Sequence, residues 1–275
     1  MTVLCEVMQV STSAYYAWTQ ASENTEKAKQ KAALEAKTRQ LFEAHKQSYG
    51  SRRLSDALQK EGVAAGRYKV RRLMDRLGLD VRYPKRYQAT TDSDHREAIA
   101  PNLLDRQFAV TEPNQVWATD ITCVWTLAGW VYVAVVMDLF SRQIVGWAID
   151  NHMRASLCVS ALQMAFWRRK PDAGLLHHSD RGSQYASREY REHLAIMKMR
   201  QSMSRKGNCW DNAPTERFFR SLKHEQLNYE KFRTQEAAKL SVIDYLAFYN
   251  GSRAHSTLGY QSPLQFEREF YRNAA

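Results

Sequence analysis

Three acidic residues stand at positions where a carboxylate could do chemistry. Asp120 lies inside the apolar run "VWATDITCVWT", Asp180 follows "GLLHHS", and Glu216 lies near the start of "APTERFFRSLKHEQL". A buried carboxylate must be paired or bound to a metal ion, because an unpaired desolvated charge costs several kcal/mol or changes its protonation. Carboxylate oxygens also suit hard metal cations. Ordinary roles remain open as well: a salt bridge for Asp120, a turn residue for Asp180 and a helix N-terminus for Glu216.

Basic residues accompany the last of these acids. Lys223 follows Glu216 by seven positions and shares a helical face with Arg220, while apolar residues form the opposite, core-facing side. We therefore predict DNA contacts by Lys223 and Arg220. The loop "SRKGN", with Arg205 and Lys206, could also hold phosphates through backbone N–H groups and cationic side chains, or it could be a solvated loop.

The elements that must position these residues indicate an α/β domain. Runs rich in Val, Ile, Trp and Tyr predict a meander of three strands: "VWATDITCVWT", "WVYVAVVMDL" and "QIVGWAID". The segments that follow predict helix, strand, helix, strand and helix in turn: "RASLCVSALQMAFWRR", "GLLHHSD", "SREYREHLAIMKM", "MRQSMS" and "APTERFFRSLKHEQL". This order predicts a mixed central sheet with flanking helices. We place the core at residues 113–230 and a helical tail at residues 231–275.

The region before this core carries most of the positive charge. Residues 31 to 86 contain 15 Lys and Arg but 6 Asp and Glu, so +9 of the formal net charge of +11 lies there. Apolar spacing predicts two short helices joined by the turn "KEGVAAG". Basic residues surround the second helix: Arg67, Lys69, Arg71 and Arg72. Such a pair fits a helix-turn-helix in a DNA major groove, and it equally fits a solvated helical hairpin. The predicted segments are an N-terminal helical segment at 1–30, the basic domain at 31–85 and a Pro-containing linker at 86–112.

Composition limits the classes of function. The net charge of +11 favours a polyanionic partner, with nucleic acid as the first expectation and an acidic membrane surface as the second. The longest apolar run, Val131 to Met137, is far too short to span a bilayer, and we identify no signal peptide. The four cysteines are scattered without zinc-ligand spacing, so we expect reduced thiols. A soluble intracellular protein that binds nucleic acid is the expectation.

Long motifs along the chain, taken together, are similar to those of one family. They are "YGSRRLSDALQKEGVAAGRYKVRRLMDRLGL", "PNQVWATDITCV", "YVAVVMDLFSRQIVGW", "HHSDRGSQYAS", "SMSRKGNCWDNAPTERFFRSLKHE" and "YNGSRAHSTLGYQSPLQF". In this order they resemble the DDE transposases and retroviral integrases, and specifically the downstream reading-frame product of bacterial insertion sequences. The resemblance implies a ribonuclease H-like core with a mixed five-stranded sheet, preceded by a small helix-turn-helix domain.

The same resemblance implies roles for the residues above. Asp120, Asp180 and Glu216 would be the catalytic residues and the ligands of two Mg²⁺ ions, for which Mn²⁺ could substitute. Lys223 would hold the terminal phosphates of the element end. The expected partners are double-stranded DNA, as element end and target, a homo-oligomer on that DNA, and an upstream reading-frame product fused by a frameshift. The expected location is the bacterial cytoplasm, at the nucleoid when DNA is bound.

Other functions remain open at this point. One is a different ribonuclease H-like nuclease, including a viral integrase, although no His-His-Cys-Cys zinc module precedes the core. Another is a DNA-binding regulator with an inert core, or a partial, unfused product without catalysis of its own. An intact set of three acids favours the enzyme, because an inert core could lose any of them without consequence.

Overall fold

The computed structural model describes residues 2–23, 26–81 and 97–274, and contacts divide the chain into two units, Met1–Arg82 and Tyr83–Ala275. Of the linker predicted at 86–112, residues 86–96 lie outside the described part. Within the described ranges, no helix combines the length and the apolar character that a membrane span requires.

Helices build the first unit. Their bounds are α1 (Thr2–Val7), α2 (Thr12–Glu23), α3 (Glu26–Ala44), α4 (Ser51–Lys60) and α5 (Arg67–Leu77). Leu54 and Leu58 of α4 and Val70 of α5 are completely shielded from solvent, as their helical spacing predicts. The turn between the two helices is held by Ser55, whose Oγ donates a hydrogen bond of 2.6 Å to the Ala65 carbonyl oxygen.

The second helix of this pair ends sharply and presents its basic residues to solvent. Gly78 adopts φ +62°, a left-handed conformation that suits glycine, and the next N–H bonds back to the Met74 carbonyl oxygen at 3.0 Å. The residues predicted to contact DNA are all exposed here: Arg67, Lys69, Arg71 and Arg72. Arg76 is used differently, because it forms an ion pair with Glu35 of α3.

A mixed sheet forms the centre of the second unit, with five strands among the described residues. The strands are β1 (Val116–Thr126), β2 (Gly129–Asp138), β3 (Ile144–Asp150), β4 (Leu176–Ser179) and β5 (Arg200–Met203). They lie in the order β3-β2-β1-β4-β5. The first three strands are antiparallel neighbours, whereas β4 runs parallel to β1 and β5 parallel to β4. This confirms the ribonuclease H-like fold with a mixed five-stranded sheet.

Helices cover both faces of the sheet. Side chains alternate along β2, so successive residues of this strand pack against helices on opposite faces. The helices of this unit are α6 (Ala155–Arg169), α7 (Ser183–Ala186), α8 (Arg188–Ile196), α9 (Ala213–Glu225), α10 (Gln235–Gly251) and α11 (Pro263–Ala274). Val133 and Val135 pack into a cluster with apolar residues of α9 and α10. Ala134 and Val136, between and after them, pack into a second cluster with α6 and α8.

Helix α6 crosses β3 at a glycine. A Cβ atom at Gly146 would lie 2.3 Å from the Ala161 carbonyl oxygen and 2.7 Å from the Ala165 Cβ. No side chain fits in that space, so Gly146 permits the close approach of helix and sheet.

Residues 97–112, which we predicted as linker, instead pack against the sheet. Leu104 is buried in the core, and the N–H groups of Leu103 and Leu104 both donate to the Ser202 Oγ of β5, at 2.9 and 3.2 Å. The Met203 N–H bonds to the Pro101 carbonyl oxygen. The segment lacks periodic apolar positions because three apolar residues at irregular spacing, Leu104, Phe108 and Val110, and a few polar contacts hold it, which explains why its sequence resembled a linker.

The predicted tail at residues 231–275 is also packed on the core, and a buried ion pair anchors it. The Arg253 guanidinium bonds to both carboxylate oxygens of Glu225, at 2.6 and 2.7 Å, and contacts the Ser221 Oγ at 3.2 Å. The Tyr245 hydroxyl donates to the same carboxylate at 2.7 Å. This cluster joins α10 and the segment after it to the last turns of α9.

Candidate active site

The pairing of β1 with β4 brings two of the three predicted acids together. These strands are parallel, and Ala118 lies opposite His178. Asp120 and Asp180 each come two residues later, so the same register carried past the end of β4 sets them side by side. Both residues are partly buried.

Local hydrogen bonds fix each aspartate. The Asp120 Oδ1 accepts the N–H of Ile121 at 2.8 Å. The Asp180 Oδ1 accepts the N–H of Gly182 at 2.9 Å, which closes the turn that follows β4. A Cβ atom at Gly182 would lie 3.1 Å from that oxygen, so the turn leaves little room for another residue.

Glu216 arrives on the first turn of α9, which is tied to β1. Asn212, directly before the helix, donates from Nδ2 to the Thr119 carbonyl oxygen at 3.1 Å. Thr119 is the neighbour of Asp120, and the buried Thr215 hydroxyl bonds back to the Asn212 carbonyl oxygen. Glu216 is thereby held on the same side of the sheet as the aspartates.

The electrostatics agree with this convergence. Burial raises the pKa of Asp120 well above its usual value, and the charges of Asp180 and Glu216 raise it further, although the Ile121 N–H and Lys223 oppose them. The pKa of Glu216 is raised by burial and then by Asp180. Three acids that disfavour one another's charge form a site that a cation would stabilise.

The donor set fits a hard cation. All three side chains offer carboxylate oxygens, which Mg²⁺ prefers over nitrogen or sulfur. Among the described residues, however, no three His, Cys, Asp or Glu side chains converge tightly enough to form a ready-made cage for a metal ion.

The basic residues that we predicted to contact DNA differ in their exposure and in their partners. Lys223 is partly buried and close enough to lower the pKa of Asp120, while Arg220 on the same helix is exposed. Lys206 is exposed in the "SRKGN" loop. Arg205, also exposed in part, uses its guanidinium in an ion pair with Asp211 at 2.7 Å.

Asp211 is a structural residue next to the site that the sequence analysis did not single out. Its carboxylate is completely buried and accepts bonds from the Arg205 N, Nε and Nη2 at 2.7 to 2.9 Å, from the Arg106 Nε at 2.8 Å and from the Asn102 Nδ2 at 3.1 Å. Arg205 above all holds the pKa of this carboxyl far below its usual range. Asp211 therefore fixes the loop of residues 204–212, and the Asp-Asn pair directly before the helix start is the signal that could have indicated it.

Other polar residues near the site are structural. His177 contacts the Tyr190 hydroxyl at 3.1 Å, and His178 contacts Ser202 and Ser204 at 2.8 and 3.2 Å. Burial lowers the pKa of both histidines, to about 3 and about 4. They are thus neutral side chains with hydrogen-bond partners.

Asp138, which also lies in one of the motifs, closes the turn after β2. Its carboxylate accepts the N–H groups of Asn114 and Phe140 at 2.7 and 2.8 Å. Arg169 of α6 lies 3.7 Å away. These contacts are those of a structural residue.

Comparisons with known proteins agree with both units of the fold. The family model described as "HTH-like domain" matches residues 29–87, and two models described as "Integrase core domain" match residues 110–209 and 197–263.

Relatives match over almost their full length. The chain is 40% identical to the "Insertion element IS600 uncharacterized 31 kDa protein" of Shigella sonnei, over 99% of this chain and all of that protein. It is 38% identical to the "Transposase InsF for insertion sequence IS3A" of Escherichia coli K12, over 97% of this chain and 93% of the relative. Among solved structures, the HTLV-2 integrase catalytic core domain in complex with magnesium matches 57% of this chain and 97% of its own, with a TM-score of 0.45 and 17% identity.

Proposed function

Because this chain belongs to the family of insertion-sequence transposases with an integrase core domain, we propose that it cuts and joins DNA strands at the ends of an insertion sequence. The proposal rests above all on the register of β1 and β4, which sets Asp120 beside Asp180, with α9 and Glu216 tied to the same strand.

We propose that these three carboxylates hold Mg²⁺, or Mn²⁺ in its place, together with the substrate phosphate. Two such ions, when bound, would supply positive charge for the oxygens that enter and leave at phosphorus. Asp120, whose pKa is raised by the charges of both other acids, would contribute to both ions. Asp180 and Glu216 would each contribute a ligand to one of the ions.

The protein's own side chains would orient the DNA around these acids. Lys223, whose charge reaches Asp120, would hold a phosphate next to the scissile one, and Arg220 and Lys206 would hold phosphates further along. Water would attack in hydrolysis and a DNA 3′-hydroxyl in strand transfer. No covalent protein nucleophile is needed.

The first unit would supply affinity for duplex DNA. We propose that its exposed basic residues on α5 contact DNA: Arg67, Lys69, Arg71 and Arg72. A helix in the major groove with four cations around it would bind phosphates on both sides of the groove. We also propose that two copies act together on paired element ends, and that a form fused to an upstream reading-frame product exists.

A second candidate function is regulation by DNA binding alone, and the concentration of charge in the first unit favours it. Residues 31 to 86 carry +9 of the net +11, so this region could bind DNA whether or not the core is active.

One experiment separates the two functions. The wild-type chain, the Glu216→Gln variant and the Glu189→Gln variant are incubated with labelled duplex carrying element ends, in Mg²⁺ and in EDTA. Glu189 is an exposed acid on α8 and serves as the matched control. We expect Mg²⁺-dependent cleavage or joining that falls by more than about 100-fold in Glu216→Gln, because even residues that only support metal ligands cost 10- to 100-fold. The control should react like the wild type.

DNA binding is measured in parallel by titration in EDTA. Binding without any cleavage by the wild type would favour the regulator. Equal cleavage by Glu216→Gln and wild type would reject the assigned site.

A further inference from the structure

Trp210 is a large apolar side chain held out into solvent beside the proposed active site. It lies in a short 3₁₀ turn, Cys209–Asn212, directly before α9, and 69% of it is exposed. Single exposed aromatic residues are common on protein surfaces and mean little by themselves. Trp210 differs from such residues because it lies in a loop that hydrogen bonds hold in place.

The loop of residues 204–212 is anchored at both ends next to the acids. At its start, the Ser204 N–H donates to the Ser179 carbonyl oxygen at 2.9 Å, directly before Asp180. At its end, Asn212 donates to the Thr119 carbonyl oxygen at 3.1 Å, directly before Asp120. The loop therefore spans the edge of the sheet where the two aspartates lie.

The residue that follows the tryptophan fixes its direction. Asp211 is completely buried with its hydrogen bonds to Arg205, Arg106 and Asn102, and Asn212 is 3% exposed. With these two side chains directed inward, the Trp210 indole is directed outward. An aromatic ring on a backbone that is already ordered loses little further entropy when it binds.

The surroundings favour nucleic acid as the partner of this ring. Lys206 is exposed in the same loop, where Arg205 is paired with Asp211, and Lys223 and Arg220 lie on the helix that follows. Proteins that bind single-stranded nucleic acid combine aromatic rings, which stack on the bases, with cationic side chains, which bind the phosphates. Bases inside a duplex present no free face, so the base in question must be unpaired.

We propose that Trp210 is a stacking platform for an unpaired nucleobase of the DNA end held at the carboxylates. The inference rests on the proposed function, because it assumes that a DNA end lies at Asp120, Asp180 and Glu216. It adds a binding site for a base to a site proposed for phosphate. DNA ends that are already frayed should therefore bind better than closed duplex, by an amount that depends on this side chain.

Binding in EDTA tests the proposal without requiring cleavage. Two probes are titrated: a duplex whose terminal base pairs are mismatched, and a closed duplex of the same length, fully paired, whose terminal base pairs are held together by interstrand cross-links. The proteins are the wild type, Trp210→Ala, Trp210→Phe and Trp167→Ala. Trp167, on α6, is also 69% exposed and is the matched control. Thermal unfolding of each variant verifies that it is folded.

We expect Trp210→Ala to bind the mismatched end about 5- to 100-fold more weakly than the wild type, which is the range for loss of one base–aromatic stack. Trp210→Phe should retain most of the affinity, and Trp167→Ala all of it. The closed duplex should not distinguish the four proteins. An abasic site at the terminal position should weaken the wild type by a similar factor and leave Trp210→Ala unchanged.

Three results would overturn the proposal. The first is equal binding of the mismatched end by Trp210→Ala and wild type. The second is an equal loss on both probes, which would indicate a general surface contact. The third is a change in the sedimentation of Trp210→Ala while its affinity still depends on the unpaired base as in the wild type. That result would assign the ring to a contact between two copies of the chain. Failure of the wild type to cleave in Mg²⁺ would reject the proposed function, whereas these binding results judge Trp210 separately.

Discussion

Replacement of Glu225 by glutamine should destabilise the catalytic unit strongly. Glu225 and Arg253 are both buried, and their side chains share two hydrogen bonds of 2.6 and 2.7 Å. Glutamine keeps the shape of glutamate and removes its charge, so the Arg253 guanidinium would remain buried without a counter-ion. The Tyr245 hydroxyl would also lose a charged acceptor at 2.7 Å.

The expected size of the effect follows from burial. Removal of one partner of a buried ion pair costs about 3–5 kcal/mol, because the remaining charge is left in a low-dielectric surrounding. For a domain of about 150–250 residues, each kcal/mol lowers the melting temperature by about 2–4 °C, so we expect a decrease of about 6–20 °C. An exposed pair is the contrast: Arg188 and Glu192 on α8 have side chains 86% and 56% exposed, and Glu192→Gln should change the stability little because water screens the two charges.

Urea unfolding followed by tryptophan fluorescence measures the free energy of unfolding. Six of the seven tryptophans lie after residue 82, so the signal reports mainly on the second unit. The Arg253→Met variant and the double variant complete a cycle with Glu225→Gln. If the pair acts as described, the double variant loses less than the sum of the single losses, by about 1–3 kcal/mol.

A loss in Glu225→Gln no larger than that in Glu192→Gln would refute the reasoning. So would strict additivity in the cycle, because it would mean that the two charges do not depend on each other.

Two further predictions concern stability. Gly146→Ala should destabilise the second unit by about 1–3 kcal/mol or more, because its Cβ would lie 2.3 Å from the Ala161 carbonyl oxygen. Gly251→Ala is the control, because nothing lies within 4 Å of the added Cβ there, and it should not destabilise the unit. Urea unfolding compares the free energies of unfolding of the two variants. His177, with its pKa lowered to about 3 mainly by burial, stays neutral in the folded chain while the unfolded chain gains a proton below the ordinary value of 6.5. Stability should therefore fall with pH below 6.5, by up to about 1.4 kcal/mol per pH unit for this group. His177→Gln should show a shallower decrease between pH 6.5 and 5 in urea midpoints, and an unchanged slope would contradict the assignment.

Much of the fold followed from local sequence patterns. Runs rich in Val, Ile, Trp and Tyr predicted the first three strands, and the mixed five-stranded sheet is confirmed. The helix-turn-helix prediction, which stood level with a solvated hairpin on the sequence, is supported by the family model over residues 29–87. These features depend on neighbours within one element, which is why a sequence can indicate them.

The parts that the sequence did not indicate depend on contacts between distant residues. Asp211 bonds to Asn102, 109 positions away, and Asn212 bonds to Thr119, 93 positions away. Nothing in a short window distinguishes such residues from ordinary turn and cap residues. The choice of Asp120, Asp180 and Glu216 came from a family resemblance rather than from local pattern, and their catalytic role stays a prediction.

The packing of residues 97–112 has a practical consequence for work with an isolated core. A fragment that begins at residue 110, where the family match begins, would lack Leu104 and expose the core that it covers. It would also leave the Ser202 hydroxyl without two N–H donors and Asp211 without Arg106 and Asn102. A truncated protein for crystallisation or for enzyme assays should therefore begin at or before residue 97.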